Sequence, residues 1–311
     1  MLKRFVFARE DRPGEAWLAR FAAGRDEAER WYLGEGRTGA PTAAECRAAL
    51  REHMPELMPH YDRVCALVGD DTRAHQILSH YRPPPIIFGC SQAVWLGDGG
   101  PALVRNYDFS LDIVSDRFEA TSWAGRKVIA KAQRPWGGCL DGMNKDGLVA
   151  SSTFGGSAAK GRGFSVILML RYVLETCRRV DQAIAALSRI PIAQSHNVTL
   201  LDSSGAYATL FLGPDRMPAV TTDRVCTNHQ EQVIWPEHGD GRAPRSACAP
   251  TRRAWPDAGP TGRKLPRASA LLPLDRVPDR LYGCLPASRE TGRLSLARKA
   301  LVSAHRPVRT R

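Results

Sequence analysis

At 311 residues with 43% hydrophobic side chains, the chain is long enough for one large domain or two small ones and can bury a substantial core. Of its 44 Lys+Arg and 32 Asp+Glu, 16 and 4 fall in residues 242–311, leaving 28 of each in residues 1–241. The basic character therefore belongs to a tail and not to the globular part, and no run approaches the roughly 18 apolar residues of a membrane span. The eight cysteines show neither a CxxC pair nor zinc-ligand spacing. They are expected to be reduced, with no metal site, in a cytoplasmic protein. Arg9 and Glu10 interrupt the N-terminal apolar residues too early for a secretory signal.

In chain order, residues 1–82 read as helical. Trp17, Leu18 and Phe21 fall at helical spacing within 14–23. Thr42 with Glu45 three residues on is a capping box that opens a helix through Cys46, Leu50 and His53. Pro55 starts another, striped by Leu57, Met58, Tyr61, Val64, Cys65 and Leu67. A fourth helix fits 71–81, and the three prolines at 83–85 end helix formation. The period then becomes extended, with strands over 86–96 and 102–109 joined by a glycine-rich turn at 97–100. Further strands are predicted at 120–123, 127–131, 148–153, 197–202, 207–212 and 224–227, with turns at 144–147 and 203–205. Two helices at 164–179 and 181–190 interrupt this series, so the pattern is α+β and not alternating βαβ. From residue 242 Arg, Pro and Ala dominate and periodicity is lost, and no strands can be identified there. That tail reads as disordered, or as a GC-rich gene translated in a shifted frame.

The chemistry centres on Gly89-Cys90-Ser91 and on Arg105-Asn106-Tyr107-Asp108 across the hairpin. Taken alone, a cysteine in an apolar strand is a packed core thiol. Here a cation and a carboxylate stand beside it. Together with Asp141-Gly142-Met143-Asn144-Lys145-Asp146-Gly147-Leu148, His196-Asn197-Val198-Thr199 and Thr227-Asn228-His229, these motifs resemble, in order and spacing, the cysteine-type N-terminal-nucleophile hydrolases. The branch is that of acyl-CoA:6-aminopenicillanate acyltransferase, peptidase family C45.

The resemblance implies an αββα sandwich with three parts: a helical leader over 1–89, a catalytic core over 90–241 and an atypical tail over 242–311. It implies self-cleavage between Gly89 and Cys90, after which the leader stays bound as a non-covalent subunit. The freed α-amine of Cys90, ordinarily titrating near 7.7–8.0 against about 8.5 for a thiol, then activates its own side chain. Arg105 is expected to depress the thiol pKa and orient substrate, Asp108 to hold the α-amine, and Asn228 to be the oxyanion donor. Asn197 and Thr153 are secondary oxyanion or pocket candidates. Asn144 reads as a turn residue, and a Cys/His pair with His196 or His229 is disfavoured. Arg105 and Asp108 are three apart, so a bulge or strand end near Asn106-Tyr107 is expected if both are to reach Cys90. The substrate implied is a small acyl amide or acyl thioester, with no cofactor. The rival readings are an inactive or truncated member that keeps only the fold and, less favoured, a nucleic-acid-binding protein acting through the tail.

Overall fold

A computed structural model describes residues 4–34, 39–85, 89–108, 115–133, 137–230 and 281–286. The leader holds α1 (Glu15–Leu33), α2 (Ala43–His53), a 3-10 turn at Pro55–Leu57, α3 (Met58–Val68) and α4 (Thr72–Leu78). The capping box forms as expected: Thr42 Oγ1 accepts from Glu45 N at 3.2 Å while Glu45 Oε2 accepts from Thr42 N at 2.7 Å. The leader is not helical throughout, because β1 (Val6–Arg9) pairs in parallel with β4 (Arg117–Thr121). Phe5 packs its ring against Phe118 beside that pairing, with centroids 5.7 Å apart.

Two sheets follow. The larger runs β1-β4-β5-β6-β7-β8-β9-β10, with β5 (Val128–Gln133), β6 (Gly138–Asn144), β7 (Val149–Phe154), β8 (His196–Leu201), β9 (Tyr207–Leu212) and β10 (Ala219–Thr221). The smaller runs β11-β2-β3-β12, built on the hairpin of β2 (Gly89–Trp95) and β3 (Ala102–Asp108) with β11 (Val225–Cys226) at one edge. Sequence reasoning finds no strand in the tail, yet β12 (Leu281–Pro286) pairs antiparallel with β3. Residues 86–88 and 109 of the predicted hairpin, and the rest of the tail, lie outside the described residues.

Helices α5 (Val166–Thr176) and α6 (Val180–Arg189) cover one face of the large sheet. The small sheet covers the other through Val94 and Leu103 against Met143, Val149 and Leu201. Three successive layers of an α+β sandwich are thus present among the described residues. The leader helices pack outside α5: Trp17, Leu50, Leu57 and Tyr61 share one buried core with Leu168 and Leu174. Glu56 accepts from Tyr172 Oη at 2.8 Å and His53 O from Arg189 Nη1 at 2.6 Å, so polar contacts reinforce the apolar ones. No helix among the described residues is long and apolar enough to cross a membrane.

The turn at Asn144 shows how the large sheet is tied to α5. Asn144 Nδ2 donates to the carbonyls of Leu174 and Cys177 at 2.9 and 2.7 Å, at the C-terminal end of the helix. Its Oδ1 accepts from the amides of Asp146 and Leu148. With both ends of the amide in use, Asn144 is the turn residue that the sequence suggested, and it also caps α5.

Candidate active site

The hairpin runs in unbroken register: Gly89 faces Asp108, Cys90 faces Tyr107, Ser91 faces Asn106 and Gln92 faces Arg105. Alternation then puts Cys90, Gln92 and Val94 on one face with Leu103, Arg105 and Tyr107, turned toward the large sheet. Of the bulge or strand end expected near Asn106-Tyr107, β3 does end at Asp108, and no bulge is present. A bulge is not required, because the two candidate residues approach different sides of one peptide. Arg105 shares the face of the Cys90 side chain, whereas Asp108 lies on the opposite face beside Gly89.

Arg105 is almost fully buried, and its guanidinium is heavily used. Nη2 donates to Cys90 Sγ at 2.9 Å, and Nη1 donates to Leu140 O at 2.9 Å, Ser151 Oγ at 3.0 Å and Asp141 Oδ2 at 3.3 Å. Its carbon centre lies 3.9 Å from the Tyr107 ring centroid, and Tyr107 Oη donates to the same Asp141 Oδ2. Burial pushes the Cys90 thiol up to about 11, against the pull of Arg105. Burial likewise raises the Asp141 carboxyl to about 6 despite the adjacent cation.

Asp108 is buried, and its Oδ1 accepts from Asn106 Nδ2 at 2.6 Å. A Cβ added to Gly89 would stand 3.0 Å from Asp108 Cβ and 3.2 Å from Asp108 O, so only glycine allows this approach without a shift. From the 226–230 loop, Asn228 Oδ1 accepts the Cys90 amide at 3.1 Å. The position of a Gly89 Cβ is 3.9 Å from Asn228 Nδ2. Cys90, Gly89, Arg105, Asp108 and Asn228 are therefore brought together around one peptide bond.

Thr153 and Asn197 are paired on adjacent strands, but their hydrogen bonds go to the loop that carries Asn228. Asn197 Nδ2 donates to Thr227 O at 2.9 Å and His229 O at 3.0 Å, and Thr153 Oγ1 donates to Thr227 O at 2.8 Å. Neither residue makes a hydrogen bond to Gly89 or Cys90. Their observed work is to hold the loop in place.

Several residues at the site carried no role in the sequence reading. Asp141, Ser151, Thr199 and Thr209 are register partners across β6 to β9, forming a polar row on the face toward the hairpin. Gln92 Nε2 donates to Thr199 Oγ1 at 2.6 Å, and Thr199 lies 2.7 Å from Thr209 Oγ1. The signal was available. Gln92 and Arg105 interrupt apolar alternation at inward-facing positions, where a polar side chain needs partners.

His196 is buried in β8, with Nδ1 3.2 Å from the Thr153 carbonyl. Burial lowers its pKa to about 4 from 6.5. The unfolded chain therefore binds this proton more readily, so the associated stability is complete above pH 6.5 and is lost as pH falls toward 4. The raised Asp141 carboxyl has the opposite sign in the overlapping acid range. We expect the urea midpoint to fall between pH 7 and 4.5, and the His196→Asn chain to lose less, by on the order of 2 kcal/mol. Equal losses in the two chains would show that His196 does not drive the acid response.

The acyl-coenzyme A:6-aminopenicillanic acid acyl-transferase family matches residues 95–242. The matched segment includes Arg105, Asp108, Thr153, Asn197 and Asn228; Gly89 and Cys90 precede it. It ends where the basic composition begins. A mutant conjugated bile acid hydrolase from Clostridium perfringens is 15% identical, with a TM-score of 0.37 over 45% of this chain and 54% of that one. Penicillin V acylase from Agrobacterium tumefaciens is 20% identical, with a TM-score of 0.35 over 45% and 52%. A Caenorhabditis elegans N-acylethanolamine-hydrolyzing acid amidase ortholog is 15% identical, with a TM-score of 0.35 over 45% and 70%. The chain thus spans about half the length of the first two. No curated protein matches it.

Proposed function

We propose that this chain, which over residues 95–242 is of the acyl-coenzyme A:6-aminopenicillanic acid acyl-transferase kind, is a self-processing amide hydrolase or acyltransferase with Cys90 as nucleophile. The observation that carries this reading is the convergence on the Gly89–Cys90 peptide. Arg105 Nη2 lies 2.9 Å from the thiol, and Asn228 Oδ1 holds the peptide nitrogen at 3.1 Å. Asp108 closes the other side, opposite Gly89.

In the processing step Cys90 Sγ attacks the Gly89 carbonyl carbon, and the thiol proton passes to the departing Cys90 nitrogen as the C–N bond breaks. Water then hydrolyses the resulting thioester, giving a Gly89 carboxylate and a free Cys90 thiol and α-amine. In turnover that amine takes the thiol proton, sulfur adds to the acyl carbon of an amide or thioester, and the α-ammonium returns the proton to the departing amine or thiolate as its bond to carbon breaks. Water or an amine then takes the acyl group and leaves the thiol free. Arg105 stabilises the sulfur anion, and Asp108 receives the new ammonium. The shared core and the β1–β4 pairing support a leader that stays attached after cleavage.

Mass spectrometry of the purified full chain tests the proposal. Wild type should separate under denaturing conditions into residues 1–89 and 90–311, while Cys90→Ala remains whole. An intact wild-type chain overturns the self-processing reading.

A further inference from the structure

The geometry points to Asp141 as a positioning residue that competes with Cys90 sulfur for the guanidinium of Arg105, so that its charge restrains the nucleophile. Arg105 bridges the two groups: Nη2 donates to Cys90 Sγ at 2.9 Å and Nη1 to Asp141 Oδ2 at 3.3 Å. All three side chains are buried, so their charges interact strongly and solvent screens little. One cation can neutralise one anion. With Asp141 ionised, a Cys90 thiolate would leave two buried negative charges on one Arg105; with Asp141 uncharged, the thiolate is the one anion hydrogen-bonded to the guanidinium.

The surroundings offer little relief. Tyr107 and Asp108 come from β3, and of these Tyr107 donates its hydroxyl to Asp141 while Asp108 adds negative charge near Cys90. From β5, Lys131 is the register partner of Asp141, but its ammonium donates to the Ser115 carbonyl. Ser151 of β7 and Gln92 of β2 are neutral, and α5 packs on the opposite face of the sheet. Burial raises both the Cys90 thiol and the Asp141 carboxyl, and Arg105 opposes both shifts, as two groups sharing one cation require.

The consequence for processing rests on the proposed function; the ionisation of Cys90 does not. In the full chain, thiolate ultraviolet absorbance is titrated against pH, with the corresponding Cys90→Ala chain subtracted. Asp141→Asn should lower the Cys90 midpoint by about one pH unit, a tenfold change in thiolate at fixed pH. Asp141→Ser, equally uncharged and smaller, should shift it in the same direction if the asparagine variant does not fold. Ser151→Ala removes a neutral partner of the same guanidinium nitrogen and should leave the midpoint in place. An unchanged or raised midpoint in the folded Asp141 variants overturns the inference, as does an equal fall in Ser151→Ala. A lowered midpoint without cleavage in any chain upholds the competition and defeats self-processing; cleavage with an unmoved midpoint does the reverse.

Discussion

Arg105→Ala is expected to cost about 3–5 kcal/mol of folding stability at neutral pH, besides abolishing processing. The residue is 1% exposed and holds Leu140, Asp141 and Ser151 of the large sheet to Cys90 of the hairpin. Truncation leaves the Asp141 carboxylate buried without its cation, and that loss of compensation exceeds the loss of any one hydrogen bond. For a folded body of this size the melting temperature should fall by on the order of 10 °C. The deficit should shrink at pH 5, because Asp141, already raised to about 6, then takes up a proton. Differential scanning calorimetry at the two pH values reads both effects. A loss below about 1 kcal/mol would mean that the guanidinium is not the tie between the sheets. Arg105→Lys retains the charge but not the planar fork that reaches both groups, and should recover stability more than processing.

The parts of the fold that were readable are those with local chemistry. Thr42 and Glu45 specify their helix start through two reciprocal hydrogen bonds between residues three apart. The 89–108 hairpin announces itself by alternation around a glycine turn. By contrast, β6 is buried at all seven positions, so its Gly-Cys-Leu-Asp-Gly-Met-Asn sequence has no alternation and little strand propensity. It is a strand because β5 and β7 flank it, information that lies elsewhere in the chain. β1 is similar, with a partner more than a hundred residues away.

At the site, Cys90, Arg105, Asp108 and Asn228 were singled out by the ordered motifs, and the structure brings them together. The expectation of a bulge or strand end came from treating Cys90 as a point target. A strand residue presents its side chain to one face while its preceding neighbour presents to the other, so a thiol and the residue before it occupy both. An odd spacing between Arg105 and Asp108 matches that arrangement. Asp141 and Ser151 could not be paired with Arg105 from sequence, because their meeting depends on how the two sheets stack.

Asn228 should prove the next most costly position for processing. Its Oδ1 is committed to the Cys90 amide at 3.1 Å, while its Nδ2 makes no hydrogen bond among the described residues and lies on the Gly89 side. Thr153 and Asn197 have committed their donors to the loop. Asn228 is therefore the candidate with a donor still available for the oxygen that becomes negative when sulfur adds to the Gly89 carbonyl. Loss of such a donor typically slows the step about 10²–10³-fold, or roughly 2.7–4 kcal/mol. Asn228→Ala should show this slowing in a time course of precursor cleavage, without the large stability loss of Arg105→Ala. Asn228→Asp separates the two ends of the amide, since it keeps an acceptor for the Cys90 nitrogen and replaces the donor with a second oxygen. It should be at least as slow as Asn228→Ala, because a carboxylate repels the developing oxyanion. Wild-type cleavage by Asn228→Asp would assign the residue to anchoring alone and leave the oxyanion to another donor.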